Sequence, residues 1–241
     1  MDLTREALEF IQRSNEPAII NHMGNSYSDK ELYKIDNYSY PVPLKVSTLQ
    51  ALADYMNSGI DGDLVSMFLV VIDSPTQVKL LSEVDDDMNR MHLFSACAGT
   101  PDIKFGSFID RELFNIQLQS CFANTEDRAL LLDIISNIEA GTIAEYTDDG
   151  FAQKANIKRG AKYETAKMPN PVTLAPYRSF PEIEQVPSNF VFRLREDDGR
   201  IECGLFPADG GAWQLESRQR IKDWLISALS PHVYDNTVIL A

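Results

Sequence analysis

The chain has 241 residues, 44% of them hydrophobic and 24% charged, a balance typical of globular proteins with enough length to bury a sizeable core. Its formal net charge of −14 repels nucleic acid at long range and argues against a DNA- or RNA-binding role. No apolar run approaches the roughly 18 residues of a membrane span, and Met1–Glu6 lacks the basic-then-apolar pattern of a signal peptide, so a cytoplasmic setting without membrane contact is expected. Cys97, Cys121 and Cys203 are far apart and form no CxxC, so they are expected as buried, reduced thiols.

Residues 2–14 have the spacing of an amphipathic helix, with Leu3, Ala7, Phe10 and Ile11 on one side. A short strand over Pro17–Asn21 and a Tyr-rich strand pair or ordered loop over Tyr27–Tyr40 follow. Ser47–Gln50 has the capping-box form and opens a second helix with Leu49, Leu52, Ala53 and Met56 as its stripe, ended by Ser58-Gly59. Leu64–Ile72 and Thr76–Leu81 flank an Asp73–Pro75 turn as antiparallel strands, and Met91–Ala98 reads as a third. Residues 110–123 and 125–138 read as a helical hairpin, with Thr125 or Asn124 as the second N-cap.

After Gly141 the pattern turns mainly to β. Ile143–Thr147 and Ala152–Lys158 are expected to pair around Asp148–Gly150, and Phe190–Arg195 and Arg200–Phe206 around Asp197–Gly199. Between these hairpins, Val172–Tyr177 is extended and hemmed by Pro169, Pro171, Pro176 and Pro181. That proline density fits an edge strand or a surface arm better than a central strand. The last helix, about 212–229, carries Leu215, Ile221, Trp224, Leu225, Ala228 and Leu229, stops at Pro231, and leaves Val238–Leu240 to close a sheet. The expected fold class is α+β: mainly antiparallel sheets with a helical hairpin and a C-terminal amphipathic helix. It reads as a single compact unit over 1–241, with Gly141 the place where a division into two lobes would fall.

Three candidate chemistries follow from residue type and spacing. Asp209-Gly210-Gly211 before the last helix is the best anion-binding candidate, because glycines let backbone N–H groups approach a ligand at a helix start. Asp209 opposes this with its own charge, and no P-loop lysine follows. A tight strand-to-helix connection is the plainer reading. Metal binding has no candidate: His22, His92 and His232 are isolated, and Asp85–Asp87 lacks the glycine and terminal glutamate of a calcium loop. No catalytic residue is assigned, since no cysteine or serine stands beside a base in sequence and no GxSxG occurs. Enzymatic activity is left open, with the balance against it, and no cofactor is implied. Trp213 and Trp224 fall three helical turns apart and share a face, as core packing or as a partner surface.

Lys154, Lys158, Arg159, Lys162, Lys167 and Arg178 gather with only Glu164 opposing them. Such a run is ordinarily a solvated face. Its functional form would be contact with an acidic partner, including another copy of the chain. Together with the proline segment it defines the expected interface: Pro169, Pro171, Tyr177, Arg178, Phe180, Lys158 and Arg159.

The stretches Pro169–Arg178, Phe180–Gln185, Phe190–Arg195 and Phe206–Trp213, with Val46–Tyr55 and Asn124–Arg128, resemble a family of uncharacterised bacteriophage and prophage proteins. The resemblance brings no catalytic residues to carry over. It implies a phage-encoded protein at work in the host cytoplasm. The leading expectation is a non-enzymatic protein that acts by self-assembly, as a homo-oligomer, and by binding a host or phage protein. The alternatives are a nucleotide- or small-ligand-binding protein or enzyme of host-defence evasion or nucleotide metabolism, and a DNA recombination or replication accessory using the Lys154–Arg178 basic run.

Overall fold

The chain folds as two compact units, Met1–Tyr40 and Pro41–Ala241, in a computed structural model. The structure describes residues 4–14, 17–22, 25–31, 40–61, 66–85, 88–144, 154–159, 162–167 and 170–241, of which 12–14, 139–144, 154–159 and 162–167 are described by backbone alone. In the first unit, Thr4 Oγ1 accepts from Ala7 N at 3.3 Å and starts helix α1 (Arg5–Ser14), with an Arg5–Glu9 pair one turn apart on its polar side. Strands β1 (Ile19–His22) and β2 (Asn25–Ser28) pair antiparallel, and Asp29 closes the hairpin by accepting from Ala18 N at 2.7 Å. None of this unit's residues with described side chains is buried. Tyr33 and Tyr38 of the expected Tyr-rich strand pair lie outside the described residues.

The second unit has mixed α+β architecture with mostly antiparallel sheets. Its elements are β3 (Leu44–Val46), α2 (Leu49–Ser58), β4 (Phe68–Ser74), β5 (Gln77–Val84), β6 (Arg90–Cys97), β7 (Phe108–Asp110), α3 (Arg111–Cys121) and α4 (Glu126–Asn137). Then come β8 (Ile138–Ala144), β9 (Lys154–Arg159), β10 (Lys162–Lys167), β11 (Val172–Leu174), β12 (Ser188–Asp197), β13 (Arg200–Pro207), α5 (Ala212–Ala228), α6 (Pro231–Asp235) and β14 (Thr237–Leu240).

Local chemistry sets several boundaries. Thr48, one residue later than the capping-box register expects, is the N-cap of α2 and accepts from Ala51 N, while Gly59 ends the helix at φ 63°. Asp110 and Thr125 cap α3 and α4 in the same way. Asp198 and Gly199 take φ of 47° and 73°, the pair of left-handed residues that a two-residue turn needs between twisted strands. Pro231 does more than stop α5. It stands at the first position of α6, where its missing N–H costs nothing.

Two hydrophobic cores organise this unit. The five-stranded sheet, in the order β14-β4-β5-β6-β3, is mixed, since β14 and β3 run parallel to their neighbours. One of its faces packs Val70, Ile72, Val78, Leu80 and Phe94 against Leu52 and Met56 of α2 and Ile221 and Leu225 of α5. The four-stranded sheet β11-β12-β13-β7 packs Phe190, Phe192, Leu194 and Leu205 against Phe114, Leu118, Leu131 and Ile134 of α3 and α4. Each such side chain removed from water contributes about 1.5–3 kcal/mol before entropy is counted. A three-stranded sheet, β10-β9-β8, completes the unit; Gly141 falls inside β8, and the expected Asp148–Gly150 turn lies outside the described residues. Among the described residues no helix is long and apolar enough to cross a membrane.

Candidate functional site

The proline-bounded segment and the Gly-Gly loop, far apart in sequence, meet at Arg178. From β11 the chain crosses from one core to the other: Val172 and Leu174 are buried in the first, Phe180 and Ile183 in the second. The crossing is held by polar bonds as well. Thr173 N donates to Asp127 Oδ2 at 2.6 Å, Ser179 Oγ to the Pro75 carbonyl at 2.6 Å, and Gln50 N to Glu182 Oε1 at 3.2 Å. Gln185, itself buried, accepts from Arg178 N and donates to the carbonyls of Phe180 and Ile183, so the loop 178–185 is closed on its own side chain.

Arg178 leads out of this loop with only 13% of its side chain exposed. Its guanidinium lies 3.8 Å from the centroid of the Trp213 ring and 6.0 Å from that of Phe190, a cation over aromatic faces. One of its terminal nitrogens donates to Ser188 Oγ and stands 3.9 Å from Asp209 Oδ2. Burial pushes the Arg178 pKa down to about 10, with the Asp209 charge working the other way, so the group stays charged at neutral pH. Burial also pushes Asp209 up, but bonds from Ser188 and from Gly211 N–H, with the Arg178 charge, outweigh it and hold the carboxyl below the ordinary carboxylate range.

The Asp209-Gly210-Gly211 loop is thereby given a specific job. Gly210 and Gly211 have φ of 61° and 83°, a conformation that side chains disfavour, and Gly211 is the N-cap of α5 with no side-chain cap of its own. Asp209 Oδ1 accepts from Gly211 N at 3.2 Å, so the chain's own carboxylate occupies the position a bound anion would take at the helix start. A phosphate would have to displace it. The arrangement does the work of a latch: a paired charge under an indole ties the crossing segment to the start of α5.

Of the expected interface residues, Phe180 has 0% exposure and packs in the core, so it presents nothing to another molecule. Arg178 is engaged as above. Pro171 and Tyr177 are exposed, the latter at 42%, although Tyr177 N donates to the Cys121 carbonyl. Lys158 and Arg159 are neighbours on β9 whose side chains lie outside the described residues, as does Pro169 entirely. The two tryptophans divide their roles: Trp213 covers Arg178, and Trp224 packs on the second core, while Leu215 of the expected helix stripe is 72% exposed.

Other reactive groups are set apart from this cluster. His92 Nε2 stands 2.8 Å from Ser95 Oγ, the spacing of a base and its nucleophile, but the same nitrogen is 3.1 Å from the Phe94 carbonyl. A carbonyl only accepts, so the Phe94 contact is a hydrogen bond only in the tautomer with the proton on Nε2, and that tautomer donates to Ser95 instead of taking its proton. Cys121 and Cys203 are buried, and burial pushes the Cys203 thiol up to about 12; Cys97 is exposed, against the expectation of three buried thiols. Among the described residues no group of three or more His, Cys, Asp or Glu side chains is placed to hold a metal ion. No family model, curated protein or solved structure matches the chain.

Proposed function

We propose that the chain is a non-enzymatic, phage-encoded protein that works in the host cytoplasm by self-assembly and by binding a host or phage protein. The observation that carries this reading is the apolar surface of the unit Met1–Tyr40. Leu8, Ile11, Ile19, Ile20 and Tyr27 are each about half or more exposed, and none of the unit's residues with described side chains is buried. A segment of this size supports little core of its own, and a lone two-stranded hairpin is marginal in water. Such side chains gain stability when a neighbouring molecule covers them, which is the signature of an association surface. In the same reading α3 and α4 serve as a helical hairpin and α5 as an amphipathic helix, its outer side offering Leu215 and Ile226 to a partner. The phage setting rests on the resemblance of Pro169–Trp213 described above.

Light scattering on a size-exclusion column tests the assembly. The expected particle mass is a multiple of 27.1 kDa at micromolar concentration. A 27 kDa particle at every concentration would overturn it.

A further inference from the structure

Cross-strand pairs set part of a sheet's stability, and like charges directly opposite one another lower it. The hairpin of β9 and β10 carries two such pairs. Its register sets Lys154 against Lys167 at one end and Arg159 against Lys162 at the other. Between them lie Lys158 and a single acid, Glu164, which stands opposite Ile157 instead of opposite a base. The chain has 36 acidic residues against 22 Lys and Arg, so opposite-charge partners for these positions are plentiful in its composition. Departures of this kind from a local rule concentrate at functional sites.

Opposed residues share a face of a sheet, and successive rows alternate. One face of the hairpin therefore holds Lys154 with Lys167, Asn156 with Thr165, and Lys158 with Tyr163. The other holds Ala155 with Ala166, Ile157 with Glu164, and Arg159 with Lys162. The third strand tells the two faces apart. Ile138 of β8 is the register partner of Ile157, is 1% exposed and belongs to the core built on α3 and α4. The face of Lys154, Lys158 and Lys167 is the opposite one. On β8, Ala144 pairs with Lys154, and Glu139 falls in the stretch where the register shifts. Arg178, the remaining member of the basic run, is committed to the latch.

We propose that the face of Lys154, Lys158 and Lys167 docks an acidic segment of the partner protein. This rests on the partner-binding half of the proposed function and names its surface and the chemistry it takes. The fit is one of charge and spacing. Lys154 and Lys158 are four positions apart on one strand, about 13 Å, which is also the spacing of carboxylates four positions apart on an extended segment. Asn156, Thr165 and Tyr163, on the same face, are residue types that donate hydrogen bonds to carboxylates. A short segment also suits the chain's net charge of −14. Its few carboxylates meet the patch within a Debye length of about 8 Å, whereas a nucleic acid, charged along its whole length, runs on over the acidic remainder. A second copy would bring another −14 to the encounter.

Fluorescence anisotropy with a labelled oligoglutamate peptide on the full chain tests this. The wild type is expected to bind the peptide, more weakly as salt rises. The triple variant Lys154→Gln, Lys158→Gln, Lys167→Gln is expected to bind about tenfold more weakly or worse. Lys45→Gln, on β3 of another sheet, is expected to bind as the wild type does. A second variant separates binding from folding. Lys167→Glu turns the like-charge pair with Lys154 into an opposite-charge pair, so it is expected to raise the denaturant midpoint while weakening peptide binding, a combination that a folding defect does not produce. A wild type that does not bind the peptide, or a triple variant that binds it equally well, overturns the inference. Tighter binding of an oligo(dT) strand than of the peptide also overturns it, and makes the face a nucleic-acid site. Self-assembly is read separately by light scattering, and it stands or falls independently of these outcomes.

Discussion

Strands β11 and β14 are both short, both at sheet edges and both in the same compact unit, yet they are treated oppositely. β11 lies in the segment that sequence marks as an edge strand or a surface arm; it is an edge strand, and the chain has embedded it: prolines on either side, a carboxylate on its Thr173 N–H, and the Arg178 latch behind it. β14 reads as a routine closing strand and carries neither charge nor proline. The difference teaches that proline density alone does not identify an interface. A proline-rich extended segment is as well suited to crossing between two cores, because fixed φ angles lower the entropy lost on ordering it.

The largest effect that would break this contrast is at Phe180. Phe180→Ala removes a fully buried ring from the second core and is expected to cost about 3–5 kcal/mol in denaturant unfolding. A cost below about 1 kcal/mol, as for a surface residue, would return the segment to the status of an arm. Removing the latch comes next. Arg178→Ala leaves Asp209 and Ser188 without their cation and uncovers Trp213, for an expected loss of about 2–3 kcal/mol.

Asp209→Asn probes the same latch through pH. The folded carboxyl titrates below the unfolded one, near 3.9, so its contribution is complete above the unfolded value and is lost as pH falls through the folded value. Wild type is therefore expected to exceed Asp209→Asn in stability at pH 7, with the gap closing as pH drops below about 4. A gap that persists unchanged into that acid range would show that charge does not hold the latch. Asp127→Ala, which frees the Thr173 N–H on β11, is expected to cost about 1 kcal/mol. Leu240→Lys on β14, a half-exposed position, should leave stability in denaturant unfolding within about 0.5 kcal/mol, far below the cost at Phe180.

Much of the fold is legible before folding. The stripe of α2, the Thr125 cap, the Asp198-Gly199 turn and the strands around it all follow from interactions among residues within a few positions of one another. β7 and the early start of β8 at Ile138 are not legible, because three residues of strand after an irregular loop, and a strand entered directly from a helix, leave no periodic signal. At the site, Asp209, Gly210, Gly211 and Arg178 stand out in the sequence as two unrelated features. Ser188 and Gln185, which complete the latch, carry no signal at all: a lone serine and a glutamine in a strand-like stretch are ordinary surface residues until a partner arrives.

The sequence by itself determined the mixed α+β class, the Thr125 cap, the Asp198-Gly199 turn and the acidic character of the chain. Only the tertiary structure decided that Arg178 meets Asp209, that Phe180 is core, and that β14 runs parallel to β4 at the end of its sheet. The physical reason is range. Caps and turns are settled within one turn of chain, whereas the bonds that embed the crossing segment join residues 104 and 132 positions apart, and no local pattern encodes which distant partner will be there.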